Sequence, residues 1–231
     1  MDSRRAEAFS DGVFAVAITV LVFDLLSIGT HELTATVLLH AWPTYIAYVV
    51  SFLIIGIMWM NHHTILAHVS RVDRPLLVLN LLLLMGIVAV PFPTALVSEH
   101  LRDEGGTVAT VTYGLVMIVI SAGFAGVWIY VATHAPSLGG VVPQGALRQS
   151  IPGFTLGGAV YVAGTLIAAF WSPVAALIIF GALAVYYLFE HLPSPARSIR
   201  AVSRRPALRR RCRQLGREGA RTGSKRPAGR R

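Results

Sequence analysis

Six apolar runs, each close to the roughly 20 residues needed to cross about 30 Å of hydrocarbon, constrain this chain more than any other feature. They fall at about 8–28, 43–60, 76–98, 107–133, 151–171 and 173–190. Hydrocarbon offers no water to an unpaired backbone N–H or C=O, so such runs cross as helices. The expected fold is an all-α membrane protein with six transmembrane helices in residues 1–192, followed by a disordered basic tail over 193–231. A soluble domain is excluded: charged residues are only 13% of the chain, about half the usual share. The first run is long and opens on Phe9-Ser10-Asp11 instead of a basic region and a small-residue cleavage point, so it reads as a retained span. The single cysteine, Cys212, excludes a disulfide framework within the chain.

The net charge of +9 could suggest nucleic acid, but the basic residues are placed otherwise. Of 20 Lys and Arg, 14 lie from Arg197 onward, beyond the last run. Arg4 and Arg5 precede the first run, Arg71 and Arg74 lie between the second and third, and Arg148 between the fourth and fifth. Only Arg102 stands on the other side, beside Glu99, Asp103 and Glu104. The positive-inside rule then puts both termini in the cytoplasm of a multi-pass cell-membrane protein. The tail lacks apolar periodicity and aromatic residues for stacking bases, so anionic lipid headgroups are its expected partner, with no specific nucleic acid.

The first run carries charge at its mouth and an acid, Asp24, near its far end. Ionisable groups at membrane depth normally face the protein interior or a water path. At about 100° per residue, Val16, Thr19, Val20, Phe23 and Ser27 fall along one side of this helix. Asp11 points roughly 140° away from Val16, and Ala17 and Val22 also point about 100° or more away. One helix thus carries an acidic anchor on one face and an apolar stripe with hydroxyls on another. Ordinary packing is the plain reading of such a stripe, as helix capping by Ser10 or Asp11 is of the triplet.

Arg5-x-x-x-Phe9-Ser10-Asp11, followed by Gly12 and an aliphatic helix, resembles the signature of the transmembrane protein 175 family of potassium channels, above all its short prokaryotic members. The resemblance implies a passive, potassium-selective channel, not an enzyme, with no cofactor and with K+ as the permeant ion. It implies a homotetramer whose pore is lined by the first helix of each subunit. Counting from the matched triplet, the hydrophobic constriction would fall on Val16, smaller than the Ile or Leu common there, with Thr19, Val20 and Phe23 continuing the pore wall. It also implies a structural hub in which Arg5, Phe9, Ser10 and Asp11 are held by polar residues at the end of the second span. Trp59, Asn61, His62 and His63 supply them, with Asn61, His62 or His63 the expected partner of Asp11.

Two rival classes bear on the same residues. Neighbouring His62 and His63 with His68 could suggest a metal-dependent membrane enzyme, but adjacent helical residues do not share a face and no further metal-ligand motif follows. A secondary transporter would call for broken helices and inverted repeats, and only Pro91-Phe92-Pro93 in the third run offers a break. Thr110-Val111-Thr112-Tyr113-Gly114 echoes the Thr-Val-Gly-Tyr-Gly filter of ordinary potassium channels. It lacks the middle glycine and sits within a run long enough to span alone, so it reads as membrane helix.

Overall fold

A computed structural model describes residues 1–28, 34–142 and 145–189 of the chain. Nearly all of them are helical: α1 Ser3–Val20, α2 Val22–Leu26, α3 Ala35–His40, α4 Trp42–Leu66, α5 Arg74–Val88, α6 Pro91–His100, α7 Gly106–His134, α8 Ala146–Phe170 and α9 Pro173–Phe189. Among the described residues, four stretches are long and apolar enough to cross a membrane: Ser3–Leu26, Trp42–Leu66, Arg74–His100 and Gly106–His134. Two shorter apolar helices, Thr155–Phe170 and Pro173–Leu188, cover the last two runs. The basic tail over 193–231 lies outside the described residues.

Helix boundaries follow local chemistry. The Asp2 carboxylate accepts from the Arg4 N–H to open α1, and Asp73 accepts from the Leu76 N–H to open α5, ahead of Pro75 in its first turn. Pro91 and Pro93 divide the third run, because neither can donate to the carbonyl four residues back. The two carbonyls so released take donors three residues on: Val90 N–H reaches Ile87 at 3.1 Å and Phe92 N–H reaches Ala89 at 3.1 Å. The chain tightens there and continues as α6. Residues 110–114 lie within α7 as ordinary helix.

The α7 helix is the centre of the described bundle, packing on α4, α5, α6, α8 and α9. Glycine lets its neighbour come close: a Cβ on Gly114 would stand 2.0 Å from Thr165 Oγ1 of α8. Beside it, Tyr113 and Tyr161 stack and tilt against Phe180 of α9, with ring centroids 5.9 and 5.4 Å apart. A polar chain runs through this core. Thr94 donates to the Val90 carbonyl at 2.8 Å, so it accepts from Ser51 at 2.8 Å, which in turn accepts from the Tyr113 hydroxyl at 3.1 Å. It ties α4, α6 and α7 together without a charge.

The α1 helix sits at the margin, packed mainly on α4 and α5. Only 22% of the apolar window in Ser3–Leu26 is buried, against 39%, 39% and 33% for the other three spans.

Candidate functional site on the first helix

The sequence of α1 sorts into two faces. Ser3, Ala6, Ser10, Phe14 and Ala17, with Leu21 just beyond, are buried against the subunit. Their spacing of three and four residues marks a narrow seam. Turned outward are Phe9, Val16, Thr19, Val20 and Phe23, with Val16 58% and Phe23 63% exposed. The Thr19 hydroxyl donates to the Val16 carbonyl at 2.8 Å, so its own lone pairs remain presented on that face. Ser27 donates to the Asp24 carbonyl at 2.7 Å. Ala17 is packed as its wheel position requires, but Val22 is 38% exposed instead of packed. Val22 lies in α2, which packs chiefly on α4 and leaves that side of the helix partly uncovered.

The seam is pinned by three polar contacts. Asp11 Oδ1 accepts from Trp59 Nε1 at 2.8 Å. Glu7 Oε1 meets His63 Nδ1 at 2.5 Å. Between them lies a directed chain. Ser10 Oγ–H donates to the Ala6 carbonyl at 2.9 Å, which leaves the oxygen to accept from Asn80 Nδ2 at 3.1 Å. Asn80 therefore turns Oδ1 toward His62, and Nε2–H of that ring donates to it at 2.7 Å. His62 is held as the Nε2–H tautomer, with Phe14 tilted against it at 5.4 Å and with Nδ1 buried and without a partner among the described residues.

Of the hub residues named by the sequence, Ser10, Asp11, Trp59, His62 and His63 make side-chain contacts, and Arg5, Phe9 and Asn61 do not join them. Trp59, instead of Asn61, His62 or His63, takes Asp11. His62 and His63 meet different partners, Asn80 of α5 and Glu7 of α1, and His68 meets neither of these histidines; it meets the Thr64 carbonyl and Trp128. Among the described residues, no three His, Cys, Asp or Glu side chains gather to hold a metal. Phe9 is exposed, Asn61 is half-buried, and neither Arg5 nor Asn61 makes a side-chain hydrogen bond or ion pair among the described residues. Asn80 is not among the residues that the sequence motifs single out. A lone amide in the leucine run 76–84 was the available signal, since polar groups at membrane depth are expensive unless partnered.

These residues can hold one helix against two others while leaving its aliphatic and hydroxyl stripe free. Residues 5–91 match the family described as endosomal/lysosomal potassium channel TMEM175. A potassium channel of Streptomyces collinus is 43% identical over 210 residues, covering 87% of this chain and 99% of its own. A potassium channel of Chamaesiphon minutus is 39% identical over 159 residues, 67% of this chain and 76% of its own. Among solved structures, a lysosomal potassium-selective channel TMEM175 homolog from Chamaesiphon minutus superposes with a TM-score of 0.69 and 34% identity, over 80% of this chain and 96% of that one. These relatives are named as channels, not enzymes, and this chain is a membrane protein of the TMEM175 family.

Proposed function

We propose that the chain is one subunit of a potassium channel whose pore is built by several copies, each contributing α1. The observation that carries this reading is the outward stripe of α1. Val16, Thr19, Val20 and Phe23 face away from the subunit's own core, on the least buried of the four long spans. One α1 cannot enclose a path, and closed cyclic symmetry is the usual way for copies to do so. We take four copies, six spans per copy, and both termini in the cytoplasm of a cell membrane. The last follows from the placement of all basic residues but Arg102.

In this reading Val16 rings form the narrow neck, and an apolar neck conducts only when water and ion can enter it together. Thr19 adds a ring of hydroxyls one turn away, and Phe23 a second apolar ring beyond. Flux is passive, needs no cofactor, and does not use a Thr-Val-Gly-Tyr-Gly filter; residues 110–114 are spent on helix packing. The three contacts at Glu7, Ser10 and Asp11 serve as the anchor that fixes how far the stripe is rotated toward the axis. Flux through purified protein in liposomes under opposed potassium and sodium gradients tests the proposal. Potassium-favouring flux is the expected result, and tight vesicles at high protein density would overturn it.

A further inference from the structure

We propose that the surface joining the start of α1 to the turn between α4 and α5 binds the phosphate of an anionic phospholipid headgroup, through Arg71 and Arg74 with Arg4 and Arg5 at its flank. Two segments are stitched there by backbone. Val72 N–H donates to the Met1 carbonyl at 2.9 Å, Ser3 N–H donates to the Ser70 carbonyl at 3.2 Å, and Asp2 and Arg71 form an antiparallel bridge. The α7–α8 turn locks the assembly from behind: Ser70 and Arg71 N–H both reach the Leu138 carbonyl, and Ser70 Oγ donates to Gly139 at 2.9 Å. The result is a fixed cleft of about 570 Å³ lined by Met1, Asp2, Ser70 and Arg71.

The guanidinium donors on this platform are unengaged while its acids are not. Arg4, Arg5, Arg71 and Arg74 are all exposed, and none makes an ion pair or side-chain hydrogen bond among the described residues. The nearby acids are committed elsewhere: Asp2 to the Arg4 N–H, Glu7 to His63, Asp11 to Trp59, and Asp73 to Leu76 and Tyr130. The four guanidinium groups are thus left with their N–H donors unengaged among the described residues. Arginines that only mark a side of the membrane need no fixed backbone beneath them. Here Arg71 and Arg74 stand on a locked turn at the ends of two membrane-length helices, the depth at which headgroup phosphates lie. Guanidinium forks match phosphate oxygens, and the locked turn holds the backbone that carries both of them. A lipid is favoured over a soluble phosphate because the site opens where membrane helices begin. The inference is independent of which helix lines the pore.

The test is retention of phosphatidylglycerol by the full chain, purified from mixed vesicles and washed with phosphatidylcholine, then read by native mass spectrometry. The wild-type chain should keep phosphatidylglycerol, and Arg71→Gln with Arg74→Gln should retain several-fold less. Arg71→Lys with Arg74→Lys should recover part of it, which separates charge from folding. Arg148→Gln removes an arginine outside the platform and should change nothing. Equal loss in Arg148→Gln, unchanged retention in the double glutamine variant, or displacement of the lipid by inorganic phosphate would each overturn the proposal.

Discussion

Asn80 Nδ2 stands 3.1 Å from Ser10 Oγ, and through that one contact the middle of α5 reaches the buried seam of α1. Both side chains are almost fully enclosed, and each has committed its other capacity, Ser10 to Ala6 and Asn80 to His62. Every donor in this chain has one direction open to it, so the contact fixes rotation as well as distance. Asn80→Leu should leave the His62 Nε2–H bare and cost about 1–3 kcal/mol, and His62→Phe alone should cost a similar amount by stranding the Asn80 carbonyl. The double variant should cost clearly less than the two together, because apolar groups then replace both partners. Thermal unfolding in detergent measures this, and strictly additive losses would sink the directed chain.

The stripe makes a separate demand. Cysteine at Val16, Thr19 or Phe23, in a Cys212→Ser background, should react with small water-borne thiol reagents and lose flux. Cysteine at Ala17, which is only 1% exposed, should be silent. Val22, itself exposed, gives no such control. Val16→Asn should wet the neck and raise basal flux with loss of selectivity. Reaction at Ala17 with silence at Val16 and Thr19 would mean that the stripe faces lipid.

A third expectation concerns the α7–α8 contact. Gly114→Ala places a methyl 2.0 Å from Thr165 Oγ1, so the helices must part or Thr165 must abandon its rotamer. Overpacking of this kind costs about 1–3 kcal/mol. Thr165→Ala on that background removes the hydroxyl and should restore part of the stability, while the Cβ at 3.1 Å keeps the relief incomplete. A melting temperature that Gly114→Ala leaves untouched would show that α7 and α8 are not so close.

Asp73, at the start of α5, supplies a pH-dependent contribution. Partial desolvation pushes its carboxyl up, but hydrogen bonds from Tyr130 at 2.6 Å and the Leu76 N–H, with His134 nearby, outweigh this and hold it below its ordinary 3.8. A depressed folded value stabilises above the unfolded one and is lost as pH falls through the folded one. The advantage of the native chain over Asp73→Asn should therefore be full at neutral pH and shrink as pH drops below 3.8. An advantage that persists undiminished in that range would show that shape, not charge, is what Asp73 provides.

Much of this was legible because hydrophobic length and helical period are local properties. The four long spans and the two faces of α1 follow from them, as does the break at Pro91 and Pro93. Partners across helices were not legible in the same way. Periodicity says that His62 is buried but not that α5 presents an amide to it, and nothing in the run 59–63 says that the indole of Trp59 outreaches Asn61 to Asp11. The short α3, capped by Thr34 on the Val37 N–H, falls between the first two apolar runs, and its six residues carry too little pattern to show in the sequence. Nor does the helical period say that α2, packed chiefly on α4, leaves Val22 exposed.

The exposed stripe of α1 has one more consequence. Acyl chains are as apolar as Val16 or Phe23, so an isolated subunit loses nothing by turning this face to the bilayer. The surface proposed to form the conduit therefore supplies no drive to form it. Whatever holds copies together must come from close packing or hydrogen bonds on other faces. A substitution in the stripe can then change what passes through an assembled particle without changing how many subunits the particle contains.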